Sequence, residues 1–182
     1  LVGTAVANRT LTEIEKLIGM FVNIHAIRAK FDGNPTMIDL INQMKKTLFD
    51  LYEHQSVNFQ DIVKKLKISH APGENPLFQV MFSYHDSFIP KLNFGKNLQG
   101  KLEYPHNGSV KLFDLNIVCV PWDESHDGKG IEMTWEYNSR LFKRSTIARM
   151  LDHYVQLLRN VIQSPEKRVN QFCIPTEQEK IK

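Results

Sequence analysis

The stretch from Ile18 to Arg28, IGMFVNIHAIR, constrains the fold of this chain more than any other. A glycine leads into a two-residue alternation. Phe21, Asn23, His25 and Ile27 fall on one face, and Val22, Ile24 and Ala26 on the other. That is the period of a strand packed within a sheet. A buried amide with no partner costs about 1–3 kcal/mol, so Asn23 requires either a partner or a function. The predicted strand runs from Met20 to Phe31, and Asp32-Gly33-Asn34-Pro35 is the turn that ends it.

Periodicity organises the rest. Leu1 to Ala7 reads as a short apolar strand, and Thr10 or Thr12 as the cap of a short helix through Leu17. From Thr36 to Glu53, Met37, Ile41, Met44, Leu48 and Leu51 recur at helical spacing, with Lys45, Lys46 and Asp50 off the stripe. A shorter helix is predicted over Phe59 to Leu66. A Gly/Pro-rich loop spans Ser69 to Asn75, and strands are predicted at Leu77 to His85, Lys101 to Tyr104, Val110 to Val120 and Ile131 to Tyr137. Ser145 reads as the cap of a final amphipathic helix to about Gln163, with Ile147, Met150, Leu151, Tyr154, Leu157, Leu158 and Val161 on its apolar face. Helices set beside a group of strands predict an α/β sandwich, a mixed sheet covered by helices.

Composition narrows the function classes. Of 182 residues, 42% are hydrophobic and 24% charged, which is ordinary for a globular protein. The net charge of +3 is small and the basic residues are scattered, so nucleic acid and a membrane surface are not expected partners. No segment approaches the ~20 apolar residues of a membrane helix. Two cysteines, Cys119 and Cys173, make neither a disulfide scaffold nor a metal site, and a reducing cytoplasmic setting is the expectation.

No histidine pair has metal-ligand spacing, and no HExxH, Gly-x-Ser-x-Gly or phosphate loop occurs. His25 reads as a hydrogen-bonded strand histidine, His54 and Gln55 as a cap on the long helix, and His153 as exposed. Asp123, Glu124 and Asp127, with His126 beside them, read as a solvated hairpin tip, and Trp135 and Tyr137 as core.

Several motifs carry a family resemblance in order along the chain. Gly3 to Arg9 (GTAVANR) is a strand and turn ahead of the glycine motif. Ile18 to Arg28 resembles IGxFVNTxxxR, matching at Gly19, Phe21, Asn23 and Arg28, with Ile24 where Thr is common. His54 to Gln60 (HQSVNFQ) resembles HQDxPFE through His54 and Gln55, departing at Ser56, Asn58 and Gln60. His70 to Leu77 (HAPGENPL) stands where RDxSRNPL is usual, and keeps Asn75, Pro76 and Leu77. Phe78 to Phe82 (FQVMF), Lys111 to Leu115 (KLFDL, with Asp114), Glu136 to Phe142 (EYNSRLF) and the final helix continue the pattern. Together they resemble the C-terminal lobe of the condensation domains of nonribosomal peptide synthetases, a lobe of the chloramphenicol-acetyltransferase-like α/β sandwich type.

The resemblance implies that residues 1–175 form this lobe and 176–182 begin a linker towards an adenylation domain. It implies amide-bond formation between aminoacyl or peptidyl thioesters held on carrier proteins. The family's catalytic motif, HHxxxDG, occurs nowhere in the chain. No catalytic residue is therefore expected here, nor turnover by these residues alone. By resemblance, Gly19, Met20, Asn23, Gln79 and Met81 line a substrate tunnel. A floor segment lies around Asn8 to Gly19, and a latch within Asp114 to Tyr137. The implied partners are the N-terminal lobe, peptidyl carrier domains and an adenylation domain. No cofactor is bound by the lobe itself; 4'-phosphopantetheine arrives on the carriers. Two other readings stay open, a non-catalytic docking and scaffold lobe and part of an epimerisation domain.

Overall fold

A computed structural model describes residues 1–69, 73–85, 92–93, 99–100, 113–121, 130–172 and 174, with backbone alone at 92–93 and 99–100. The elements in chain order are β1 (Val2–Val6), β2 (Asn23–Ile27), α1 (Met37–Glu53), α2 (Phe59–Leu66), β3 (Val80–Tyr84), β4 (Leu92–Asn93), β5 (Gln99–Gly100), β6 (Leu115–Pro121), β7 (Ile131–Tyr137) and α3 (Arg144–Gln163). Five strands form one sheet in the order β2-β1-β3-β6-β7, and β4 and β5 form a separate antiparallel pair. The large sheet is mixed: β1 and β6 lie parallel to β3, while β2 and β7 run antiparallel to their neighbours.

The core obeys the pleat. Leu115, Ile117 and Cys119 of β6 are buried with Ile147 of α3. Val80, Phe82, Met133, Trp135, Tyr137, Phe142 and Met150 pack against them. These are the period-two positions of β3, β6 and β7 meeting one stripe of a helix. Trp135 and Tyr137 are core residues, as expected, and Trp135 meets Tyr154 edge to face at 5.7 Å. Burial pushes the Cys119 thiol above its ordinary range, which marks it as an inert core residue.

α1 begins at a reciprocal cap: the Thr36 hydroxyl accepts from the Asp39 amide at 3.1 Å, and the Asp39 carboxylate accepts from the Thr36 amide at 3.3 Å. Before it, Gly33 and Asn34 take positive φ of 74° and 52°, giving the turn that Asp32-Gly33-Asn34-Pro35 predicts.

Six expectations are corrected. The strand expected from Met20 to Phe31 is only Asn23–Ile27, the length over which the five residues of β1 pair with it. The strand expected from Val110 to Val120 begins at Leu115, where the Gln79 carbonyl takes the amides of both Asp114 and Leu115, and 110–112 lie outside the described residues. The helix expected from Thr10 or Thr12 to Leu17 is one 3-10 turn at Thr12–Ile14. The amides of Ile14, Glu15 and Leu17 donate three residues back, to Leu11, Thr12 and Ile14, rather than four, and the Arg9 side chain also donates to the Ile14 and Glu15 carbonyls. α3 begins at Arg144 after an extended Lys143 rather than at a Ser145 cap, because the Thr146 and Ile147 amides already donate to the Lys143 carbonyl. β3 begins at Val80 rather than Leu77, since Asn75 Oδ1 accepts from the amides of Leu77 and Phe78 and holds them in a turn. His153 is half-buried rather than exposed. The expected strand at Lys101 to Tyr104, the acidic residues Asp123, Glu124 and Asp127, His126, Cys173 and the segment 176–182 lie outside the described residues.

Candidate functional site

The residues singled out from the sequence are spread over the β1–β2 loop, β2, the α1–α2 corner and the entries to β3 and β6. β1 and β2 pair along their whole length, from Val2↔Ile27 to Val6↔Asn23. β1 and β3 share one pair only, Gly3↔Met81. Met81 is therefore held beside Gly3 and is buried at 6% exposure. Gly3 is required there, because a Cβ on it would lie 2.0 Å from Cε2 of Phe78. Phe78 is the most deeply buried side chain described. It meets Phe59 of α2 at 5.8 Å and stacks on Phe113 at 5.6 Å.

The loop from β1 to β2 is pinned by Arg9. Its guanidinium also sits 4.3 Å above the centre of the Phe21 ring. Gly19 lies against that ring, where a Cβ would meet Cε2 at 3.0 Å. A loop so fastened still exposes its apolar tips: Ile18 is fully exposed and Met20 93% exposed. Gly19 and Met20 thus share this outward loop, whereas Met81 lies within the sheet. Arg28 is exposed and has no ion-pair partner among the described residues.

Asn23 opens β2. Its Nδ2 donates to the carbonyls of Gln55 at 2.9 Å and Val57 at 2.8 Å, and its Oδ1 accepts from the Ile24 amide at 3.0 Å. His25, 6% exposed, places Nε2 3.1 Å from the same Gln55 carbonyl. It is a hydrogen-bonded strand histidine, as expected. His54 is the C-terminal cap residue of α1, with its ring Nδ1 2.8 Å from the Asp50 carbonyl, and Gln55 donates to the Tyr52 carbonyl at 3.0 Å. Asn58 stands where the related motif has proline. Its φ of −73° is one proline would satisfy, and its side chain accepts from the Gln60 amide as the cap of α2.

Gln79 is exposed and donates to the Asn75 carbonyl at 3.1 Å. Its own carbonyl accepts from the amides of both Asp114 and Leu115, a bulge at the entry to β6. The Asp114 carbonyl accepts from Asn138 at 2.9 Å, so its backbone ties β3, β6 and the end of β7 together. Asn75 orders the turn before β3 through its side chain, with Pro76 half-buried beside it. Further along β6 and β7, Asn116 donates across the strands to Glu136 at 2.8 Å.

Local pattern does not report the contacts of Asn23 with Gln55 and Val57, which span 32 and 34 residues. The reciprocal cap at Thr36 and Asp39 has a readable Thr-x-x-Asp signature, which apolar periodicity alone does not pick out. Among the described residues no group of three or more His, Cys, Asp or Glu could hold a metal ion, and no helix is long and apolar enough to cross a membrane.

A family model described as "Condensation domain" matches residues 1–182. Among curated proteins, the chain is 34% identical over 181 residues to surfactin synthase subunit 1 of Bacillus subtilis (strain 168), covering 98% of this chain and 5% of that protein. It is 32% identical over 180 residues to bacitracin synthase 1 of Bacillus licheniformis, covering 99% of this chain and 3% of that protein. The chain thus spans a small part of these relatives. Among solved structures, the first condensation domain of the CDA synthetase superposes with a TM-score of 0.69 at 16% identity, over 96% of this chain and 37% of that one. A four-domain nonribosomal peptide synthetase bound to AMP and glycine superposes with a TM-score of 0.83 at 18% identity, over 98% of this chain and 14% of that one. At those identities the structures establish a shared fold.

Proposed function

The chain belongs to the condensation-domain family, and from that premise we propose that it is the C-terminal lobe of a domain that joins carrier-bound aminoacyl or peptidyl thioesters by amide-bond formation. The observation that carries the reading is that nearly all of this chain superposes on condensation-domain structures of which it makes up little more than a third. With no HHxxxDG in the chain, its role is positional. Gly19, Met20, Gln79 and Met81 contribute to the wall of a substrate tunnel, the loop 8–19 to its floor, and the segment 114–137 to a latch towards the other lobe.

Residue chemistry supports that division. Met20, almost fully exposed, offers adaptable apolar surface to differing side chains, while Met81, buried in the sheet, backs the wall from behind. Gln79 spends one side-chain amide proton on Asn75 and keeps its side-chain oxygen Oε1 for a passing amide. Holding two reactants in register lowers a barrier without any covalent step in this lobe. The proposed partners are an N-terminal lobe, carrier domains presenting 4'-phosphopantetheine and an adjacent adenylation domain, in a reducing cytoplasm.

A test joins this chain to an N-terminal lobe bearing HHxxxDG and monitors two loaded carriers by intact-protein mass spectrometry. Dipeptidyl carrier is the expected product. Normal carrier binding with no product would instead establish a docking and scaffold lobe.

A further inference from the structure

The side chain of Asn23 has no donor left for a substrate. An amide has two N–H donors and one carbonyl oxygen. Both donors go to the carbonyls of Gln55 and Val57, and the oxygen takes the Ile24 amide. Neither of those carbonyls accepts a backbone hydrogen bond among the described residues, because both lie in the corner between α1 and α2, where the helical ladder is broken. His25 adds a second ring-to-carbonyl contact on Gln55. One strand end thus satisfies the two orphaned acceptors of a helix corner 32 to 34 residues away.

We propose that Asn23 is a positioning residue: it clamps the α1–α2 corner, residues 54–58, onto β2, and does not touch substrate. The corner sets where α2 starts and what it meets. Asn58 caps α2, and Phe59, the next residue, meets Phe78. The Phe78 ring fills the space left by Gly3, the residue that pairs with Met81. Asn23 therefore reaches the proposed wall through α2 and Phe78. Only this last step, the effect on turnover, rests on the tunnel reading above. The clamp itself is a property of the chain and is testable without carriers.

The test is amide hydrogen exchange on the full chain, read at peptides covering 54–60. Asn23→Ala removes both hydrogen bonds to the corner, along with the local one from the Ile24 amide, so exchange there is expected to rise about tenfold or more. Asn23→Asp keeps the acceptor but has no donor, and is expected to loosen the corner at least as much. His25→Phe removes one contact and is expected to give a smaller rise at the same peptides, which secures a readout if the Asn23 variants fold poorly. Combined with Asn23→Ala, it is expected to be non-additive, because both side chains share the Gln55 carbonyl. In the joined enzyme, Asn23→Ala is expected to lower kcat by a similar factor for every acceptor and leave the ratio of KM values between acceptors unchanged. Unchanged exchange at 54–60, or a rise spread evenly along the chain, would overturn the clamp. An acceptor-dependent rise in KM with corner exchange unchanged would make Asn23 a substrate ligand.

Discussion

Gly3 shows how one missing side chain holds two parts of the sheet together. Its strand meets β3 at a single pair, and the Phe78 ring occupies the space a Cβ would take. Because Phe78 also contacts Phe59 and Phe113, its ring has little room to retreat. Gly3→Ala is therefore expected to cost about 1–3 kcal/mol, the usual penalty of overpacking. Denaturant unfolding checks this, and pairing it with Phe78→Leu is expected to recover part of the loss; strict additivity would mean that the two residues do not compete for space. At this scale the sequence was only half legible. The alternation around Asn23 marks a polar group in need of a partner, and the partner exists. Which residues supply it is a matter of long-range packing, and nothing in the spacing of residues 18–28 points to Gln55 or Val57.

Helices and strands differ in how far their ends could be read. The apolar stripes of α1, α2 and α3 and the alternation of β7 are strong periodic signals, and these elements lie where periodicity predicts. The ends depend on single hydrogen bonds. Bonds that reach three residues back hold Thr12–Ile14 to a single 3-10 turn, and Asn75 delays β3 by holding Leu77 and Phe78. α3 starts after Lys143 with no side-chain cap and no acidic residue in its first turn, and Arg144 adds positive charge at the positive end of the helix. Lys143→Ser is accordingly expected to raise stability by about 0.5–1 kcal/mol, while Thr36→Ala at the capped start of α1 is expected to lower it by about 1 kcal/mol. Thermal unfolding of both variants checks the contrast, and a loss in both would mean that Lys143 makes a contact more valuable than a cap.

For the whole molecule, ordered motifs identify the family and a mixed five-stranded sheet carries it out. The fold class was legible because strand and helix periods segregate along the chain. The strand order was not, since β1 meets β3 through one pair, Gly3↔Met81, whose members lie far apart in the chain. The candidate site was legible as a set of residues, but the structure distributes them. Gly19 and Met20 sit on an outward loop pinned by Arg9, Met81 lies in the sheet, Gln79 stands at the bulge into β6, and Asn23 is engaged by a helix corner. That distribution suits a lobe that positions reactants and leaves the chemistry to another. The most direct measurement of this division is single-turnover formation of dipeptidyl carrier, read by mass spectrometry, with the chain alone and with the chain joined to a lobe bearing HHxxxDG. The account predicts product from the joined protein and none from these 182 residues by themselves; amide-bond formation by the chain alone would contradict it.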